Sequence, residues 1–126
     1  MTTQQTIFEA IGGFKAIDEI IEGMYKRVAV HPELIPIFPE DLEESARKQR
    51  LFLIQFFGGP QLYNEERGHP MLRRRHLPFE ITPARRDAWL ACMKASLEES
   101  SLDESHQQLI YERLKIPAAH MVNTSE

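Results

Sequence analysis

Residues 15–30 read KAIDEIIEGMYKRVAV, and the spacing of their apolar side chains decides the fold class. Ile17, Ile20, Ile21, Met24, Tyr25 and Val28 recur at steps of three and four, which lines one face of an amphipathic helix from about Lys15 to Val30. Tyr25 therefore points inward, a polar tip on an apolar face.

The same reading extends in both directions. Ile7 to Ile11 forms a short helix that Gly12-Gly13 stops. His31-Pro32 ends the long helix, because a residue before proline avoids helical dihedrals, and IPIFP (35–39) continues as an irregular apolar connection. A third helix runs from about Asp41, an N-cap with acids in its first turn, to Phe57, where GGP (58–60) stops it. Its inward face holds Phe56, Leu53, Phe52, Gln49 and Ser45.

Residues 60–69 read as loop. Pro70 suits a first helical position and Pro78 forbids continuation past Leu77, so Met71 to His76 forms at most about two turns with His76 in the last. A long helix from about Thr82, with Pro83 at its first position, places Trp89, Leu90, Met93 and Leu97 on one face. Another, from about Asp103, carries Leu109, Ile110, Leu114 and Met121. No period-two run argues for a strand, so the chain is predicted to be one all-α domain over 1–126.

Composition narrows the function. A chain of 126 residues with 42% hydrophobic residues can bury a real core, and a net charge of -4 argues against a nucleic-acid binder. The single Cys92, set among Trp89, Leu90 and Met93, reads as a buried thiol in a reducing compartment. No apolar run is long enough to cross a bilayer and MTTQQ is no signal peptide, so the expectation is a cytoplasmic protein with no membrane partner.

Polar groups on inward faces are the informative departures. Tyr25, Ser45, Gln49 and Trp89 each cost on the order of 1–3 kcal/mol if buried unpaired, so together they are expected to line a pocket. The histidines, at 31, 69, 76, 106 and 120, are never two to four residues apart, which removes a helical two-histidine zinc site. Neither Ser45 nor Cys92 sits in a nucleophile motif, and no phosphate-binding glycine loop occurs. One histidine can still hold a metal whose cofactor brings the remaining ligands, as haem does. His76, braced by two prolines, is the best-placed candidate; the alternative is a surface residue in the basic cluster Arg73, Arg74, Arg75.

Six stretches then carry a resemblance: YKRV (25–28), HPELIPIFP (31–39), ARKQ (46–49), FFGGP (56–60), GHPMLRRRHLPF (68–79) and AWLACM (88–93). In order and spacing, over roughly Ile7 to Asn123, the chain resembles the truncated haemoglobins, and within them group II, found in many bacteria. That resemblance implies a two-over-two helical sandwich around haem b, with Lys15–Val30 packed on Asp41–Phe57 and Thr82–Glu99 on the last helix.

It further implies that His76 is the proximal iron ligand and that Tyr25, Gln49 and Trp89 form the distal pocket, with Ser45 where many globins place a distal histidine. Phe38, Phe52, Leu53, Leu72, Phe79 and Met93 are implied to pack on the haem, and Arg75, Lys48 and Tyr63 to meet its carboxylates. The implied ligands are dioxygen and other diatomics such as NO and CO. A second implied reading is a haem-dependent redox enzyme, an NO dioxygenase or peroxidase-like activity, that needs an external reductase. A third, without cofactor, is a helical interaction module using Arg73–Arg75. The chain is expected to be a monomer or homodimer. Pro117 departs from the family's unbroken last helix and is expected to kink it or end a first segment, and His120 reads as structural.

Overall fold

Amphipathic spacing and proline or glycine stops produce the helices in the order expected. The computed structural model describes residues 5–68 and 79–124. Among them the helices are α1 (Ile7–Ala10), α2 (Phe14–Val28), α3 (Glu43–Phe56), α4 (Leu62–Arg67), α5 (Pro83–Glu99) and α6 (Glu104–Met121), with a 3-10 turn at Ile35–Ile37 and no strand. The predicted short helix at Met71–His76 lies outside the described residues.

Helix α2 packs on α3, α5 packs on α6, and α2 crosses α5, so two helix pairs share one core. Ile17, Ile20, Met24, Leu53, Ile54, Met93, Leu97, Ile110 and Leu114 fill it, each less than 2% exposed. Burying side chains of this size contributes about 1.5–3 kcal/mol apiece, which is where most of the helices' stability comes from.

The crossing of α2 and α5 is close because position 23 has no side chain. Ser96 Oγ donates to the Ile20 carbonyl at 2.6 Å, and a β-carbon built on Gly23 would stand 2.5 Å from that hydroxyl. Beside it Arg27 and Lys26 on α2 pair with Glu99 on α5, and Arg27 before Lys26 holds the Glu99 carboxyl down at about 2. Alanine at an exposed helix position would gain about 1 kcal/mol over glycine. Gly23→Ala is nevertheless expected to lower stability by about 1–3 kcal/mol, because the helices must separate or Ser96 must leave Ile20. Urea unfolding reads this directly; an unchanged or higher midpoint removes the close-crossing account.

The end of α3 turns through Gly58 and Gly59. Gly58 has φ +94°, and a β-carbon at Gly59 would lie 2.9 Å from both the Ile54 carbonyl and the Phe8 ring, so both positions require glycine. Phe8 N–H donates to Phe57 O at 2.8 Å, which seats α1 on this turn. A reciprocal cap between Thr6 and Glu9 starts α1.

Three expectations need correction. Asp41 is not the N-cap of α3: the helix begins at Glu43 behind Leu42, and Asp41 Oδ1 accepts the Glu43 N–H at 3.0 Å from one residue further out. Residues 60–69 are not all loop, since α4 occupies Leu62–Arg67. Six residues are too few to show a period, and this helix is held by side chains from α3: Gln55 Oε1 accepts Asn64 N–H at 2.9 Å and Arg47 pairs with Glu66 at 2.8 Å. Pro117 does not end a segment, because α6 runs through it to Met121. The carbonyl it deprives of a partner belongs to Arg113, an exposed residue whose backbone water can reach.

Cys92 is buried as expected, and burial pushes its thiol above the usual range against a smaller opposing pull from Arg27. Among the described residues no helix is long and apolar enough to cross a membrane.

Candidate functional site

Four helices turn one stripe each toward a shared cavity of about 300 Å³. From α3 come Ser45, Lys48, Gln49 and Phe52; from α6 come Leu114, Pro117, Ala118 and Met121. Both sets follow the i, i+3, i+4, i+7 spacing of a single helix face. Helix α2 contributes Tyr25, and α5 contributes Arg85, Arg86 and Trp89, again one face. Leu34, Ile37, Phe38 and Pro39 close the wall at and beside the 3-10 turn, and Tyr63, Phe79 and Ile81 line the remainder.

Three neutral polar side chains of the lining, Tyr25, Gln49 and Trp89, are underused among the described residues. Burial pushes the Tyr25 hydroxyl well above its ordinary value, so it stays protonated and able to donate. Its one hydrogen bond among the described residues, to the Ser45 carbonyl at 3.3 Å, is long. The Tyr25 ring meets Phe38 edge-on with centroids 6.2 Å apart. Neither the Gln49 amide nor the Trp89 indole N–H has a hydrogen-bond partner among the described residues, although both side chains are only partly exposed.

Tyr25, Ser45, Gln49 and Trp89, the four inward polar residues, thus surround one space. Phe38, Lys48, Phe52, Tyr63 and Phe79 line it too. Leu53 and Met93 do not: both are completely buried in the core behind α3 and α5. His76, Leu72 and Arg75 lie outside the described residues. Of the described histidines, His31, His106 and His120, none lines the cavity, and His106 is engaged with Asp103 at the start of α6.

Two anchors fix where the chain leaves and re-enters. Tyr63 on α4 lines the cavity shortly before residue 69, and Phe79 lines it immediately after residue 78. The re-entry is clamped, since Asn123 Nδ2 donates to Phe79 O at 2.9 Å and Asn123 Oδ1 accepts the Ile81 N–H at 3.0 Å. Sequence reasoning missed Arg85 and Arg86. Their signal was available, because they stand four and three residues before Trp89 and so share its face.

The family model described as "Bacterial-like globin" matches residues 6–123. The chain is 52% identical to group 2 truncated hemoglobin YjbI of Bacillus subtilis, over 94% of this chain and 89% of that protein. The chain belongs to the bacterial-like globins, among the group II truncated haemoglobins. The crystal structure of the group II truncated hemoglobin from Bacillus anthracis superposes with a TM-score of 0.95 at 51% identity, covering 99% of this chain and 96% of that one. A structure described as a truncated oxygen-avid haemoglobin from Bacillus subtilis gives 0.90 at 51% identity, over 94% and 100%.

Membership makes this truncated haemoglobin a haem-binding globin for diatomic gases. The residues present fit that group on their own chemistry. A flat aromatic macrocycle with two carboxylates needs apolar and aromatic walls, which Phe38, Phe52, Trp89, Leu114 and Met121 supply. It also needs a cation for its carboxylates, which Lys48 supplies from the described lining.

Proposed function

We propose that this globin holds haem b through His76 and reversibly binds dioxygen, with NO and CO as further ligands, among Tyr25, Gln49 and Trp89. The observation that carries the reading is a cavity in which Trp89 and Gln49 have no hydrogen-bond partner among the described residues and Tyr25 has only a long one. Trp89 can only donate, Tyr25 is kept protonated, and Gln49 brings an amide of either polarity. Donors left open inside an apolar wall are unfavourable by about 1–3 kcal/mol each unless a ligand accepts from them.

When bound, haem would supply a ferrous iron that takes up a diatomic gas reversibly. The chain's own residues do the rest. Tyr25 and Trp89 donate toward a ligand that gains negative character, and Phe38 and Phe52 exclude water. Ser45, the small residue of the α3 stripe, leaves room beside Tyr25. Lys48, with Arg75 and Tyr63, holds the carboxylates.

The described histidines do not line the cavity, which leaves His69 and His76, both in the stretch of sequence between Tyr63 and Phe79, which do. The family resemblance selects His76. The oxygen-avid description of the Bacillus subtilis relative favours dioxygen as the ligand. Titrating the reduced protein with dioxygen and following its absorbance tests this. A saturable spectrum that reverses on deoxygenation is expected; immediate conversion to the ferric form, or no change, defeats the proposal.

A further inference from the structure

The cavity's charge is opposite to the chain's. Asp and Glu outnumber Lys and Arg by 19 to 15, yet the described lining holds three cations, Lys48, Arg85 and Arg86, and no carboxylate. Lys48 makes no ion pair with another described residue. Arg85 is held in place by Nη1 donating to the Glu80 carbonyl at 2.6 Å, while the Glu80 carboxylate stays 3.9 Å away with its side chain 64% exposed. Arg86 spends only Nε, on Asp87 at 2.9 Å, and Asp87 is outside the lining.

Resting on the haem-binding reading, the charge count leaves a surplus. On that reading the two haem carboxylates fall to Lys48 and Arg75, which leaves the α5 arginines for another anion. Both arginines sit about one helical turn, roughly 5.4 Å, from Trp89 along α5 and on its face. A guanidinium fork suits small planar and linear anions, and positive charge on a low-dielectric wall concentrates them.

We propose that Arg85 and Arg86 form an anion-binding edge that draws small inorganic anions, of the nitrite and azide class, from solvent into the cavity toward Trp89 and Gln49. Neutral gases gain nothing from this edge. The globin therefore separates its ligands by charge.

Stopped-flow association of azide with the ferric holoprotein tests this, with CO binding to the ferrous form as the neutral control. The azide rate is expected to fall several-fold as salt rises from about 0.01 to about 0.15 M, while the CO rate does not move. In the Arg85→Gln/Arg86→Gln variant the low-salt azide rate is expected to drop on the order of tenfold and lose its salt dependence, with CO unchanged. Arg85→Lys/Arg86→Lys keeps the charge and should keep most of the rate, which decides the matter if the glutamine variant folds poorly. An azide rate indifferent to salt, or equal in parent and glutamine variant, overturns the proposal. So does a glutamine variant whose haem transfers faster to an acceptor globin at an unchanged azide rate, since the arginines would then hold haem carboxylates. A starting protein with no haem spectrum is a different failure, that of the haem reading itself.

Discussion

Trp89→Phe is expected to release dioxygen roughly ten- to hundredfold faster than the parent protein, because phenylalanine keeps an aromatic ring there without the N–H. The indole N–H has no partner among the described residues, so removing it breaks no hydrogen bond to any of them. The fold should therefore be nearly unaffected, and the effect should appear in the dissociation rate rather than in urea stability. CO, a weak hydrogen-bond acceptor, should show a smaller change. Tyr25→Phe is the informative contrast: its hydroxyl already reaches the Ser45 carbonyl, though at 3.3 Å, so part of its loss falls on α3. Stopped-flow mixing of the oxygenated protein with dithionite measures both variants; an unchanged rate in Trp89→Phe removes the indole from the stabilising role.

His76→Ala is expected to lose haem. Disturbing merely the hydrogen-bond partner of a metal-bound histidine lowers affinity by roughly 10- to 100-fold, so deleting the ligand itself costs more. No described histidine can replace it, because His31, His106 and His120 stand away from the cavity. His69→Ala is the control, expected to keep the parent spectrum. Haem transfer to an acceptor globin measures the difference, and equal retention in the two variants would separate His76 from the iron.

Much of this arrangement was legible in the chain, for identifiable reasons. Helices α2 and α5 repeat apolar residues over many turns, so their faces, and with them Tyr25 and Trp89, could be placed by counting. Pro83 and Asp103 marked helix starts through chemistry that acts within a few residues. Helix α4 was not legible, because its stability comes from Gln55 and Arg47 on another helix. Leu53 and Met93 are fully buried and are not among the residues that line the cavity, and a helix face wide enough to touch both core and cavity does not say which residue meets which. Arg85 and Arg86 were overlooked for a related reason. A charged residue on an inward stripe reads as solvated until the opposite wall, here Leu114 to Met121, shows that the stripe faces a cavity.

The central claim is that this fold holds haem in the cavity between α3, α5 and α6. Titrating the purified protein with haem and following the Soret band tests it most directly. The account predicts saturation at one haem per chain, with a spectrum distinct from free haem that shifts on reduction and again on adding CO. A titration that shows only free haem, with no endpoint, would contradict it.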